Sequence, residues 1–324
     1  MHRRRVLLIA LLGWLCLLQV ATAAEAKPAD PNEVFTVVLM PDTQFYSQKY
    51  PETYVAQTMW IRERVRPDNI KFVVGLGDIV QNAHVEQEWK NANEAARILD
   101  GVVPYSMVPG NHDLVTKEMR ITRDSTLYNQ YFGPSRYEKE PWYGGHWGTT
   151  NDNNFCTFEA GERKFLVLSL EFCPRDEVLV WAEQVCRQHP EHNVIVATHS
   201  YLNLTGRASG PSPVADSTTN SGQEMWNKLI RKQPNIFMVA CGHVGGVNLL
   251  VSTNDAGGKV IEILTDYQNL AEGGRGWLRT MRFVPAENKI YVEAYSPLLK
   301  EHNLNPKHTH TIDLDFAKLR VVRS

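Results

Sequence analysis

The stretch IFMVACGHVGG, from Ile236 to Gly246, sets six residues fit for a buried strand directly before Gly-His and two further glycines. An imidazole placed there has almost no side chains beside it, and the glycines permit a tight turn and close backbone approach. The pattern recurs at four other places. Val34–Met40 leads to Pro41-Asp42-Thr43-Gln44, and Ile70–Leu76 leads to Gly77-Asp78. Val102–Val108 leads to Pro109-Gly110-Asn111-His112-Asp113, and Asn193–Ala197 leads to Thr198-His199. Most of these runs are near-continuous and β-branched, the mark of strands covered on both faces.

Between several of the runs lie helical patterns. Thr53–Arg66 and Val85–Leu99 repeat every 3.6 residues, with Val85, Trp89, Ala92, Ala96 and Leu99 on one face. Asp176–Gln188 and Gln223–Lys232 read as further helices. Alternation of strand and helix predicts a largely parallel central sheet. CTFEAGERKFLVLSL reads as a hairpin turning near Gly161, and Val260–Thr265, Trp277–Val284 and Lys289–Tyr295 predict a second, mixed or antiparallel sheet packed on the first. No internal repeat or linker divides residues 34–324, which read as one domain. Residues 205–222, rich in Gly, Ser, Pro and Thr, read as a mobile surface loop.

In an open α/β sheet, ligands bind outside the carboxyl ends of the strands. Each of the five runs stops on a metal-ligating residue, so parallel strands bring two aspartates, an asparagine and two histidines to one crevice. Carboxylate oxygens mixed with imidazole nitrogens suit Mn, Fe or Zn better than Ca or a thiolate-bound ion. A lone Asp or His after a strand is ordinarily a cap or a surface residue. Five in series, two of them within Gly-Asp and Gly-Asn-His-Asp, point to a site.

The chain has 324 residues, 43% apolar and 22% charged, enough for a sizeable core. His2-Arg3-Arg4-Arg5, the short apolar run Val6–Leu18 and Ala21-Thr22-Ala23 read as a signal peptide over residues 1–23, too short to span a bilayer. A polar lead-in, 24–33, follows, and the expected mature chain is exported, periplasmic or secreted, with no membrane span. Removing three arginines with that segment brings the 34 basic residues to 31 against 36 acidic ones. A mildly acidic chain without a Lys/Arg run is a poor nucleic-acid binder, and no sequence-specific nucleic-acid contact is expected. In an oxidising compartment Cys156, Cys173, Cys186 and Cys241 could form up to two disulfides with three pairings; Cys241, inside an apolar run, reads as a buried thiol.

The ordered series PDTQ, GLGDIVQN, PGNHD, ATHS and CGHVGG resembles the calcineurin-like metallophosphoesterases over residues 34 to about 300, GNHD being the most specific of the five. The resemblance implies an α/β fold, a two-sheet mixed β sandwich flanked by helices in four αββα layers, with a two-metal hydrolytic site. It implies that Asp78 bridges the ions and that Asn111, His199 and His243 complete the second site. The first site departs from the family: Gln44 stands where Asp-x-His has its histidine, and Gly245 where Gly-His-x-His ends. Asp42, Asp78 and Gln44 remain, so the expectation is one tight and one weaker transition-metal site. His112 is implied as general acid or phosphoryl donor. Some relatives support that histidine with an acid where this chain has Gln81, which leaves Asp113 to orient the ring.

The function expected is an exported phosphoesterase acting on a phosphorylated small molecule, as a phosphomonoester or phosphodiester, by attack of metal-bound hydroxide. The alternative is a non-catalytic metal- or phosphate-binding protein on the same fold with a degraded first site. Tyr131–Gly148 could wall a substrate pocket through Trp142, Tyr143, His146 and Trp147, or simply pack as an aromatic-anchored loop. His308 and His310 read as structural, and Arg207 and Arg275 as solvated loop residues. No dinucleotide or phosphate-loop fingerprint is complete, and no Gly-x-Ser-x-Gly elbow exists.

Overall fold

Apolar runs buried on both faces need cover on two sides, and here a second sheet supplies one side and helices the other. The computed structural model describes residue 30 and residues 33–210 and 219–319. The expected signal peptide, most of the lead-in and the centre of the Gly/Ser/Pro-rich loop lie outside the described residues.

In the first sheet Phe35–Met40, Ile70–Gly75 and Tyr105–Met107 run parallel. Leu278–Val284 then pairs antiparallel with Phe35–Met40, and Lys289–Ser296 with Leu278–Val284. In the second sheet Arg163–Leu170, His192–Thr198, Ile236–Cys241 and Lys259–Asp266 are parallel. Antiparallel strands Asn154–Ala160 and Gly246–Thr253 flank that parallel set. The sheets face each other across one core. Phe35, Val37 and Leu39 point into it with Phe165, Val167, Ile195, Met238 and Ile263 from the opposite sheet. Alternate residues Val38 and Met40 point outward, under the helices Pro51–Arg64 and Glu86–Ala96. Asp176–Gln188 and Gly222–Lys228 cover the second sheet in the same way. The result is the four-layer αββα sandwich.

The expected single parallel sheet carrying all five runs is corrected: three belong to the first sheet and two to the second. The C-terminal segments also divide, residues 260–265 extending the second sheet and 278–295 the first. A near-continuous apolar run states that both faces are covered but not by which partner. The hairpin forms as expected, turning at Gly161-Glu162 between Asn154–Ala160 and Arg163–Leu170. All four described cysteines are buried free thiols, which corrects the disulfide expectation and agrees with the reading of Cys241.

The aromatic stretch is not a loop. It comprises the end of helix Thr126–Phe132, the short helix Pro134–Tyr137 and the strand Tyr143–His146. Trp142 packs between Phe72, Tyr105 and Tyr137. Arg207 is also not solvated: it pairs bidentately with the fully buried Glu262 and lies over the Trp226 ring at 3.8 Å.

Candidate metal centre

Both sheets present the carboxyl ends of their parallel strands at the same edge of the sandwich, and the loops that follow meet there. Asp42, Asp78 and His199 bring one ligand atom each to within 4.8 Å of one another. His199 Nε2 lies 3.2 Å from Asp78 Oδ2, 3.9 Å from Asp42 Oδ1 and 3.2 Å from Asn111 Oδ1. Its other nitrogen, Nδ1, sits 2.8 Å from the Leu76 carbonyl, an anchor that fixes the ring and leaves Nε2 for a ligand. The His243 ring stands 4.9 Å from the His199 ring, and both flank Phe172. The His243 backbone N–H donates to Asp42 Oδ1 at 3.1 Å.

Glycines precede these residues for a steric reason. A Cβ at Gly110 would fall 2.2 Å from Asp78 Oδ1, and one at Gly242 would fall 2.4 Å from Asp42 Oδ2. The ligand-bearing residues are themselves unusual. Asp78 and His243 hold φ of +48° and +76°, a conformation that costs of order 1–3 kcal/mol and persists only where surroundings over-determine it.

The loop after Asp78 is fastened from two directions. Asp113 accepts the backbone N–H groups of Gly110, Ile79 and Val80 at 2.7, 3.1 and 3.0 Å. Glu88 accepts those of Gln81 and Asn82, both at 2.8 Å. The expected pairing of Asp113 with the His112 ring is therefore corrected: His112 Nδ1 meets the Gln81 carbonyl at 2.9 Å. A carboxylate already committed to three backbone donors positions the turn and leaves the imidazole to a main-chain acceptor.

Electrostatics set the demand of the site. Burial pushes Asp42 well above its ordinary range, and the charge of Asp266 adds to it. Burial likewise raises Asp266 to about 6, and raises Asp113 to about 7 with Asp78 contributing. Burial alone would lower His199, but Asp78 and Asp42 outweigh it and push the imidazole up to about 10. His243, buried beside His199, is lowered to about 4. Three buried carboxyls, Asp42, Asp78 and Asp266, thus share essentially one imidazole for compensation. Asp42 Oδ2 and Gln44 Oε1 are buried without a hydrogen-bond partner. Orphaned oxygens beside uncompensated carboxyls are the environment a cation satisfies, so the residues present fit a metal centre.

Asp266 escaped the sequence reading. The signal was present in the same form as the others, a strand ending on a carboxylate, but Val260–Thr265 had been assigned to a separate sheet. Beside His112 opens a cleft of about 270 Å³ lined by Gln81, His84, Asn111, Thr116 and Ile121 among others. None of Trp142, Tyr143, His146 and Trp147 lines it. Its outer wall comes from the small hairpin of Thr116–Lys117 and Arg120–Ile121, which no sequence pattern announced. Among the described residues, no helix is long and apolar enough to cross a membrane.

The model of the calcineurin-like phosphoesterase family matches residues 35–246, a span that includes every motif from Asp42 to His243. Over 300 residues the chain is 31% identical to the uncharacterized protein YvnB of Bacillus subtilis, covering 90% of this chain and 22% of that protein. It is 22% identical over 191 residues to the probable glycerophosphodiester phosphodiesterase GpdQ of Arcobacter nitrofigilis, covering 56% of this chain and 58% of that one. The chain thus spans less than two thirds of the length of either relative. Among solved structures, a purple acid phosphatase from yellow lupin (Lupinus luteus) seeds is similar in fold. The TM-score is 0.55 at 11% identity, over 90% of this chain and 56% of that one.

Proposed function

The chain belongs to the calcineurin-like phosphoesterase family, and from that premise we propose that it is an exported, metal-dependent hydrolase of a phosphomonoester or phosphodiester. The observation that carries this reading is the buried group Asp42, Asp78 and His199, with oxygens on Asp42 and Gln44 that no protein donor satisfies. In the proposed assignment Asp78, Asn111, His199 and His243 would hold one ion, and Asp42 and Gln44, with Asp78, would hold the other. Bound there, such ions supply a water of lowered proton affinity and positive charge for the phosphoryl oxygens.

The remaining work falls to the chain. Phe172 packs against the rings of His199 and His243, and His199 is fully buried. The Gln81 carbonyl accepts from His112 Nδ1–H at 2.9 Å, which turns Nε2 toward the departing oxygen, and Nε2 can give a proton there only from the doubly protonated ring. Substrate enters along the cleft that His112 and Asn111 help to line.

Hydrolysis of aryl phosphomonoesters and phosphodiesters, measured alongside metal content with Mn, Fe or Zn supplied, tests the proposal. Retained metal without turnover of either class favours the second reading, a binding protein on the same fold, for which Gln44 and Gly245 in place of imidazoles speak. Protein that holds no metal and turns over neither class sinks both. Export is tested by sequencing the amino terminus of cell-derived protein, expected near Ala24 or Lys27; recovery of Met1 refutes it.

A further inference from the structure

Strand His192–Thr198 leads to His199 at the metal centre, and another group of ligand residues stands at its opposite end. His189, Glu191 and His192 bring one ligand atom each to within 4.8 Å of one another. The strand's 7 residues, at about 3.3 Å each, set the two groups on the order of 20 Å apart.

The sequence His189-Pro190-Glu191-His192 dictates the meeting. Helix Asp176–Gln188 ends just before the residue that precedes a proline, where the helical conformation is disfavoured. The His192 N–H then donates to the His189 carbonyl at 3.1 Å and closes a four-residue turn. Pro190 takes the position where its fixed φ favours turning. The first, third and fourth residues of that turn carry the ligands. Asn235 clamps it from the neighbouring strand, its Nδ2 donating to the carbonyls of Cys186 and His189 at 3.0 and 3.2 Å.

His192 is 7% exposed, and its Nδ1 is buried without a hydrogen-bond partner. Glu191 Oε1 lies 3.2 Å from that nitrogen but outside hydrogen-bond geometry. An imidazolium–carboxylate pair does not account for the contact, because burial lowers His192 from its ordinary value and leaves the ring neutral at pH 7. The separation is instead that of two ligands on one ion: bonds of about 2.1 Å at a tetrahedral angle set ligand atoms about 3.4 Å apart. The His189 ring stands perpendicular to that of His192, centroids 5.1 Å apart, and packs on Phe155 from another side. The turn also lies at the C-terminus of helix Asp176–Gln188, whose free carbonyls favour positive charge.

We infer that His189, Glu191 and His192 form a separate binding site for a divalent transition metal of the Zn²⁺ class, with water completing a tetrahedral shell. Two imidazoles and one carboxylate select Zn²⁺ over Mg²⁺ and Ca²⁺, which prefer oxygen shells. Glu191 is exposed and gives the ion a way in. All three ligands belong to the turn that joins helix to strand, so the ion braces that joint and stands apart from the chemistry at His199. The inference does not depend on the hydrolase reading.

The test is anomalous diffraction at the Zn edge from the full chain crystallised with Zn²⁺. Bound Zn²⁺ is counted in parallel by equilibrium dialysis in millimolar Mg²⁺. A peak is expected about 2.0–2.2 Å from His192 Nδ1 and Glu191 Oε1, resolved from any ion beside His199. Glu191→Gln, at an exposed position, should abolish that peak and weaken one Zn²⁺ per chain by about ten-fold or more. His189→Ala should do the same. Thermal melts of both variants in a chelator, expected to match wild type, report that the fold is kept. Absence of the peak from wild type, or Zn²⁺ binding unchanged in both variants, overturns the inference.

Discussion

Gln44 Nε2 donates to Gln81 Oε1 at 2.8 Å. These are two of the three positions at which the chain departs from the family pattern, Gly245 being the third, and they depart together. The bond takes up the amide nitrogen and turns Gln44 Oε1 into a buried, unpartnered acceptor beside Asp42. Meanwhile the Gln81 carbonyl holds His112 Nδ1, so one residue orients both the weak ligand and the proposed acid.

Gln81→Leu should release the Gln44 amide and weaken the first ion by several-fold, since a hydrogen bond of this kind is worth about 1 kcal/mol. Gln44→Leu should weaken it further by removing the ligand. The double variant should be no worse than Gln44→Leu alone, because the partner acts only through the amide. Metal titration of the four proteins decides it; additive losses would show that Gln81 acts on the ion by another route.

His112→Asn should lower turnover by ~10²-fold or more at saturating substrate, the scale for losing a general acid. Metal content should stay at the wild-type level, because the residue meets the cluster only through its backbone N–H, 2.9 Å from Asp78 Oδ1. Full turnover by the variant would remove the imidazole from the mechanism.

Restoring the family's last imidazole is not a matter of one substitution. Gly245→Ala should destabilise by about 1 kcal/mol, the lower range for overpacking, because the new Cβ meets Asn269. Asn269→Gly in the same chain should recover most of that loss. Gly245→His should improve retention of the first ion only in the Asn269→Gly background. Thermal melts and metal content of the paired variants provide the check, and a Gly245→His variant that gains metal on its own would contradict it.

Arg207→Ala should be among the more damaging changes away from the centre. It would strand Glu262, a fully buried carboxylate whose oxygens Arg207 meets at 2.6 and 2.7 Å, with Tyr201 at 2.7 Å. Removing one partner of a buried pair costs roughly 3–5 kcal/mol. Adding Glu262→Gln should return part of the stability. Denaturant unfolding that shows no loss for Arg207→Ala would mean that Glu262 finds another partner.

Cys156, Cys173, Cys186 and Cys241 are buried thiols, and burial raises Cys186 and Cys241 to about 12 and Cys156 higher still. Reactivity follows the exposed thiolate. All four should resist a thiol reagent in the native protein and react after denaturation without prior reduction. Peptide mapping that found any two of them joined would refute this.

Much of the centre was legible in the sequence because a strand that ends on a ligand leaves a local mark. Asp42, Asp78, Asn111, His199 and His243 each follow an apolar run, usually beside a glycine that close approach demands. The hairpin around Gly161 was legible for the same reason, since its turn and its alternation are neighbours in the chain. Asp266 carried an equal mark but was passed over, since its strand had been placed in the wrong sheet. Sheet membership was decided only in three dimensions. Residues 193–197 and 236–241 read much like 35–40 and 70–75, yet they pair with Arg163–Leu170 and Lys259–Asp266. A run buried on both faces records that it is covered, whereas its hydrogen-bonding partner lies up to hundreds of residues away and leaves no trace in its own composition. The Gln44–Gln81 bond, the Asp113 turn and the meeting of Asn269 with Gly245 are contacts of that kind. They join segments whose sequences say nothing of one another until two sheets close on a single edge.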